Sequence, residues 1–512
     1  MRAMSFATDP NGWVEQVAGG AQRVFLRTSQ GREISYAALR EQSHRIACAL
    51  MRRGVVPGER VAVQVDKSVE AVLLYIACLR LGAVFVPINV ANTPNEVEYF
   101  LRDSRPRVAV IRPQDRHVLE PLAIEAGVAL ETLGENGDGS LCELAAECAD
   151  DSALPTVFDA DALAAIVYTS GTTGRPKGAM LTRANLASNA VALAETWRFT
   201  RDDVLLHTLP LFHIHGLFAA INTVLASGSS LFLLPKFDAA QTLAHLREAT
   251  VYMGVPTHYT RLLQQAELNP QTTATVRLFV SGSAPLLPDT HREFLSRTGH
   301  VILERYGMSE TLINTSNPYE GPRLPGSVGP PLKGTAIRVV NAETGAVELE
   351  PGVVGTLQVK GPNVFVGYWR DEAKTHGEFS ADGWFKTGDV GRIDAAGYVH
   401  IVGRAKDLVI SGGYNVYPKE VETELDALAG VQESAVFGVP HPDFGEGVTA
   451  AVVPKPGAVL SEQAIIDSVK ARLARYKVPK RIVLVEELPR NTMGKVQKNT
   501  LRQMFAAIYA DG

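Results

Sequence analysis

The chain has 512 residues, of which 46% are hydrophobic and 21% charged, with a formal net charge of -5. That length exceeds what one hydrophobic core organises, so two or more domains of an ordinary soluble protein are expected. No basic tail or lysine-rich patch is present, which argues against nucleic acid as a partner.

In chain order, Met1 to Pro10 lacks the apolar core of a signal peptide, and none is expected. Val61 to Val65 is a short β-branched run. Asp66 and Ser68 are candidate helix caps, and Val69, Leu73, Ile76 and Leu79 then recur at helical spacing until Gly82. Val84 to Pro87 reads as the next strand. Strand, helix, strand at this spacing predicts a βαβ unit and a parallel sheet covered by helices. The pattern returns around Val108 to Ile111 and Ala164 to Tyr168. The apolar runs, Val69 to Leu81 among them, are too short and too charged for a membrane span, so no membrane partner is expected.

After about Pro330 the texture changes. Gly355 to Lys360, Asp389 to Asp394 and Tyr398 to Val402 read as short β segments, with turns at Gly383, Gly388 and Gly397. They predict a small antiparallel subdomain. Helix signals return at Pro418 to Leu428 and Ser461 to Tyr476, enough for a separate α+β domain. The four cysteines, Cys48, Cys78, Cys142 and Cys148, form no Cys-x-x-Cys pair. They read as reduced thiols, which points to a cytoplasmic location.

The densest chemical signal is Tyr168-Thr169-Ser170-Gly171-Thr172-Thr173-Gly174-Arg175-Pro176-Lys177-Gly178, directly after an apolar strand. Glycines let backbone N–H groups approach an anion, hydroxyls donate to it, and lysine adds charge. This is phosphate-gripping chemistry. It is not a Walker loop, which needs Gly, four residues, then Gly-Lys-Ser/Thr; here Lys177 is followed by Gly178.

The loop resembles the signature of the superfamily of acyl-CoA synthetases, peptide-synthetase adenylation domains and luciferases. Five further segments resemble its motifs in order: Ser281 to Leu286, Glu304 to Glu310, Lys386 to Asp389, Gly403 to Asp407 and Pro489 to Lys495. The resemblance implies an α/β fold. It would comprise a large N-terminal domain of parallel-rich sheets with covering helices and a β subdomain (residues 1–404), and a small mobile α+β C-terminal domain (405–512). It implies an enzyme that activates a carboxylate with ATP and Mg²⁺ and passes the acyl group to coenzyme A.

By the same resemblance, Lys495 is the catalytic cation at the α-phosphate and Glu310 the Mg²⁺ ligand. Thr169, Ser170, Gly171, Thr172, Thr173, Gly174, Lys177, Ser283, Glu304, Arg305, Tyr306, Ser309, Asp389 and Arg404 are the implied ATP contacts. Tyr306 would offer a face to adenine, and Asp389 would accept from the ribose hydroxyls. Lys406 lies at the implied hinge. Within the superfamily, Leu209 to Leu217, Gly254 to Arg261 and the polar run Asn314 to Asn317 are most similar to the malonate-activating enzymes.

Malonate keeps a second, unreactive carboxylate. Burying it requires a fixed cationic donor, preferably arginine. Arg261 is the first candidate, with Ser283 and His213 as helpers and Arg292 and Arg305 as rivals. Met308 and Ile214 are candidates for limiting pocket size. Methylmalonate or another short acid, a stand-alone loader of carrier proteins, and a nucleotide sensor stay open at this point. Oligomeric state is not legible.

Overall fold

Ser68 and Gly82 delimit the central helix as the sequence requires. In the computed structural model, Ser68 accepts a hydrogen bond from the Ala71 N–H at 3.1 Å, and Gly82 ends the helix in the left-handed region at φ +77°. A Cβ on Gly82 would also lie 2.3 Å from the Phe158 ring. Asp66, the other cap candidate, instead pairs with Arg112 at 3.6 Å. All residues of the helix Val69–Leu81 are buried. A helix apolar on every face belongs between layers, and Tyr75 touches Phe85 on one side and Phe218 on the other.

The structure describes residues 12–14, 22–148, 153–155, 158–169, 176–341, 344–348, 350–412, 414–470 and 472–509. The chain divides into two compact units. The first comprises Met1–Pro325, Gly329–Ala336 and Val359–Phe385; the second comprises Gly326–Val328, Ile337–Gln358 and Lys386–Gly512.

The first unit holds two large sheets. In one, the strands Val24–Thr28, Ser230–Leu233, Val204–His207, Val251–Gly254, Leu278–Ser281 and Leu303–Met308 run parallel, and Glu33–Ser35 and Leu312–Ser316 close the edges antiparallel. In the other, Leu163–Thr169, Val84–Pro87, Arg60–Gln64, Val108–Ile111 and Ala129–Thr132 run parallel. Lys177–Thr182 and Gly367–Tyr368 extend that edge antiparallel. Open parallel sheets place their ligand sites beyond the carboxyl ends of the strands.

A buried ion pair ties the first of these sheets together. Asp203 accepts from Arg277 Nε at 2.8 Å and Nη2 at 2.8 Å, from Thr250 Oγ1 at 2.6 Å and from the Thr200 N–H at 2.8 Å. Burial disfavours the charged carboxylate, but these donors outweigh it and hold its pKa below the usual value. The pair should therefore stabilise the fold fully above the unfolded carboxyl pKa and lose that contribution as pH falls through the lower, folded value. Arg277→Ala leaves Asp203 buried without its cation. It is expected to cost about 3–5 kcal/mol of stability near neutrality, and less at pH 3, in paired denaturant melts at the two pH values.

The second unit contains the five-stranded sheet and the small C-terminal sheet. In the former, Val347–Glu348, Ala336–Val340, Gly355–Lys360, Phe385–Ile393 and Val399–Arg404 lie in that order. The strand starting at Phe385 runs straight through Gly388, where the sequence suggested a turn; Gly388 takes φ +70° within it. In the C-terminal sheet, Gly445–Pro454 pairs antiparallel with Val431–His441 and parallel with Arg481–Leu484. Helices Pro418–Asp426 and Glu462–Lys470 cover it. The latter ends before the expected Tyr476 because Leu473 and Val478 turn into the core that holds Ile465 and Val469. Among the described residues, no helix is long and apolar enough to cross a membrane.

Candidate active site

The glycine-rich segment joins two antiparallel strands. Thr169 stands directly opposite Lys177, and Tyr168 opposite Gly178. The hydroxyls and glycines expected to grip phosphate, Ser170, Gly171, Thr172, Thr173 and Gly174, lie outside the described residues. The base of the loop is held by two tyrosines: Tyr168 Oη donates to Asp103 Oδ2 at 2.5 Å and Tyr99 Oη to the Pro176 carbonyl at 2.8 Å. Lys177 Nζ lies 5.8 Å from the centre of the Tyr368 ring, and Tyr368 Oη donates to Glu310 Oε1 at 3.0 Å. Glu310 is buried. The lysine at the end of the loop and the expected metal-binding carboxylate thus share one neighbour.

Among the described residues, no three His, Cys, Asp or Glu side chains converge as a metal site. Mg²⁺ is commonly held by one or two carboxylates together with substrate phosphates and water. A carboxylate such as Glu310 fits an ion that arrives with a nucleotide.

A second constellation gathers at the ends of the strands Val204–His207, Val251–Gly254, Leu278–Ser281 and Leu303–Met308. Arg305 is its centre. The residue is 4% exposed, and its Nε and Nη2 have no hydrogen-bond partner among the described residues. Burial pushes its guanidinium down to about 9. A Cβ on Gly282 would fall 2.4 Å from Arg305 Cζ, so only glycine there lets the guanidinium lie against the backbone. Ser283 follows with φ +71°, a strained conformation for a non-glycine residue. Its Oγ lies 3.3 Å from His215 Nδ1.

His215 is fully buried and opens the π-helical segment His215–Asn222, a geometry frequent at functional sites. Its main-chain N–H donates to His213 Nδ1 at 3.2 Å. Burial, then repulsion from Arg305 and the neighbouring histidines, holds His215 well below the usual imidazole range. His258 stacks on Phe237 with ring centres 3.8 Å apart and lies 3.0 Å from Tyr252 Oη. Burial, then repulsion from Arg261 and Lys67, lowers it to about 3. Both imidazoles are therefore neutral near pH 7, leaving the arginines to supply the charge. Arg261 is exposed on the helix Pro256–Leu263 and acts on the same cluster through His258. Arg292 is exposed and pairs with Asp289, which makes it the weakest of the arginine candidates.

Tyr306, Met308 and Ser309 are half-buried around the turn between the strands Leu303–Met308 and Leu312–Ser316. Glu304 is buried, and its carbonyl accepts from the Asn317 backbone and side chain at 3.0 Å each. Ser316 accepts from Trp197 Nε1 at 2.8 Å. The polar run Asn314 to Asn317 thus contributes at least two residues that fasten this hairpin.

The second unit brings together another group. Asp389 stands opposite Arg404 in the sheet, and their side chains pair at 2.7 Å. Lys495 lies in their field. Desolvation lowers its pKa, with Arg404 and Lys406 adding repulsion against the attraction of Asp389 and Asp407. The lysine remains exposed to solvent even so.

Its loop is tightly built. Asn491 Oδ1 accepts from the backbone N–H groups of Met493 at 3.0 Å and Lys495 at 2.9 Å. Arg490 donates to the Gly494 carbonyl at 2.6 Å and pairs with Glu433. Lys498 pairs with the buried Glu422 at 2.6 Å. Lys406 sits in the short turn Ala405–Asp407, and Asp407 pairs with Arg502 at 3.0 Å.

Sequence reasoning passed over His207, His215, His258, Tyr368 and Lys67. The one available signal was density: His207, His213 and His215 are three of only 12 histidines and fall within nine residues of one another. The proximity of His215 to Arg305 depends on strand order, which spacing does not carry.

Comparison with known proteins gives a consistent result. The family model of the AMP-binding enzyme matches residues 13–369, and that of the AMP-binding enzyme C-terminal domain matches residues 420–495. The chain is 36% identical over 487 residues to the mitochondrial malonate–CoA ligase ACSF3 of Mus musculus, covering 88% of this chain and 83% of that protein. It is 34% identical over 508 residues to an oxalate–CoA ligase of Arabidopsis thaliana, covering 97% and 98%. Among solved structures, ATP-bound MatB from Rhodopseudomonas palustris superposes with a TM-score of 0.96 at 52% identity, covering 98% of this chain and 99% of that one.

Proposed function

We propose that this chain, which belongs to the AMP-binding enzyme family, joins malonate to coenzyme A through a malonyl-adenylate. A malonate carboxylate oxygen attacks the α-phosphorus of ATP and pyrophosphate leaves. The thiol of CoA then attacks the acyl carbonyl, loses its proton to water, and AMP leaves. The observation that carries the choice of acid is Arg305: a buried guanidinium with two N–H donors unpaired among the described residues suits a second carboxylate. Ser283 follows Gly282, against which the guanidinium lies, His213 accepts from the His215 N–H, and Arg261 acts on His258 from its exposed position. The named activities of the malonate and oxalate ligases support a dicarboxylate.

In this reading Lys177 and Thr169 flank the triphosphate with the loop residues Ser170 to Gly174. Glu310 would hold Mg²⁺, which supplies charge neutralisation at the phosphates when bound. Ser309 donates to the α-phosphate, Tyr306 faces adenine, Asp389 and Arg404 hold the ribose, and Met308 and Ile214 bound the acyl pocket. Lys495 stabilises negative charge gathering at the α-phosphate. A boundary at 404/405 with Lys406 as hinge separates the two half-reactions. A cytoplasmic location belongs to the same proposal and is supported by the four free cysteines.

The test is a thioester assay with ATP, Mg²⁺, CoA and a panel of acids. Malonate is expected to give the highest kcat/KM. A higher value with acetate, a fatty acid or an aromatic acid would overturn the assignment of malonate. Equal turnover of a carrier protein with CoA omitted would overturn the assignment of CoA.

A further inference from the structure

Tyr368 touches two groups assigned to the reaction, Lys177 and Glu310. Its strand, Gly367–Tyr368, pairs antiparallel with Lys177–Thr182, with Tyr368 opposite Ala179 and Gly367 opposite Met180. The flanking backbone fixes that register: the Val366 N–H donates to the Met180 carbonyl at 3.1 Å, and the Trp369 N–H to the Gly178 carbonyl at 2.7 Å. Residues directly opposite share a face, and so do residues two apart on one strand. Tyr368 is therefore the diagonal neighbour of Lys177, and its ring centre lies 5.8 Å from Lys177 Nζ.

The same segment grips Glu310. The Phe365 N–H donates to the Glu310 carbonyl at 2.8 Å, and Tyr368 Oη donates to Glu310 Oε1 at 3.0 Å. Both residues are 7% exposed. The tyrosine has little room to move. Its ring packs edge-on against Phe365 with centres 4.9 Å apart, and its N–H donates to Thr375 Oγ1 at 2.8 Å. Gly367 takes φ +145°, and a Cβ there would fall 2.6 Å from Thr375 Cγ2. A hydrogen bond to a carboxylate is strong and directional. It engages one oxygen and opposes any turn of the carboxylate that would offer both. Mg²⁺ demands a near-octahedral set of oxygens, whereas Ca²⁺ takes six to eight and accepts a carboxylate through both oxygens.

We propose that Tyr368 is a positioning residue: its hydroxyl fixes the Glu310 carboxylate so that the site favours Mg²⁺ over Ca²⁺, and its ring seats the Lys177 amine. The inference rests on the reading of Glu310 as the ion's ligand and adds what orients it.

The experiment measures Mn²⁺ binding by electron paramagnetic resonance on the complex of the enzyme with α,β-methylene-ATP, without any acid substrate. Mg²⁺ and Ca²⁺ are then added as competitors. The proteins are the wild type, Tyr368→Phe, Tyr368→Leu and Glu310→Gln. For Tyr368→Phe, Mn²⁺ affinity should fall about tenfold or more, and the ratio of Mg²⁺ to Ca²⁺ affinity should move toward Ca²⁺. Its affinity for the nucleotide in EDTA should match the wild type, because the ring remains. Tyr368→Leu should lose, in addition, about two- to fivefold of that metal-free affinity. If Glu310→Gln weakens Mn²⁺ binding and Tyr368→Phe leaves both Mn²⁺ affinity and the Mg²⁺ to Ca²⁺ ratio unchanged, the inference alone is overturned. It is also overturned if Tyr368→Phe loses as much nucleotide affinity in EDTA as it loses for Mn²⁺, since the tyrosine is then structural. Unchanged Mn²⁺ binding in Glu310→Gln would overturn the reading of Glu310 and this inference with it.

Discussion

Lys495→Ala is expected to slow malonyl-adenylate formation by at least roughly 10²–10³-fold while leaving thioester formation from supplied malonyl-adenylate largely intact. The magnitude follows from removing a positioned cation where transition-state charge develops. The selectivity follows from the proposed hinge at Lys406, which would carry Lys495 away from the adenylate before the thiol attacks. ATP–pyrophosphate exchange and single-turnover thioester formation read the two halves separately, and equal loss in both would defeat the division of labour.

The pH dependence has a definite sign. Desolvation and the nearby Arg404 and Lys406 lower the Lys495 pKa. Its charge is therefore lost earlier on the alkaline side than that of an ordinary lysine. Adenylation should fall as pH rises through that value, while Lys495→Arg, which stays charged, should flatten the fall. Because Asn491, Arg490 and the Lys498–Glu422 pair fix the backbone of the loop, the alanine variant should retain its melting temperature.

Arg305→Met is expected to lower kcat/KM for malonate by about 3–5 kcal/mol, or roughly 10²- to 10³-fold or more, because it leaves the spare carboxylate buried without a cation. A monocarboxylate such as acetate has no group to place there, so its weak turnover should change little or rise. The free protein gives a second, opposite readout. Arg305 is desolvated and two of its donors are unpaired among the described residues, so replacing it with an apolar side chain should leave the melting temperature unchanged or raise it. A fall in stability together with equal losses for malonate and acetate would mean that Arg305 is structural.

These two residues show where sequence reasoning succeeds and where it stops. The strand–helix–strand unit around Val69–Leu81 was legible because local rules govern it: a serine cap, a helical apolar period and a glycine stop. The antiparallel edges and the exact strand limits were less so, since a strand can absorb Gly388 when its neighbours complete the ladder. Lys495 was singled out by its motif alone; nothing in the spacing of Pro489 to Lys495 announces Asn491 as the knot of the loop.

Arg261 and Arg305 both stood as candidates for the carboxylate, and the family resemblance of the Gly-Val-Pro-Thr turn before it favoured Arg261. Burial reverses the weighting. Arg305 lies against Gly282 from the strand next to the sheet edge, a contact between residues 23 positions apart that only the parallel pairing of Leu278–Ser281 with Leu303–Met308 creates. Neutral, desolvated histidines were equally hidden, because a histidine in a sequence carries no sign of its surroundings.

The pairing of Thr169 with Lys177 works as a ruler. Side chains on a strand alternate faces, so Lys177 reaches Tyr368 only because the register from Tyr168 to Lys177 is kept. One residue added within Lys177–Thr182 would turn the lysine to the opposite face without altering a single residue of the phosphate signature. A chain of this kind can therefore keep every signature letter yet lose the grip they spell.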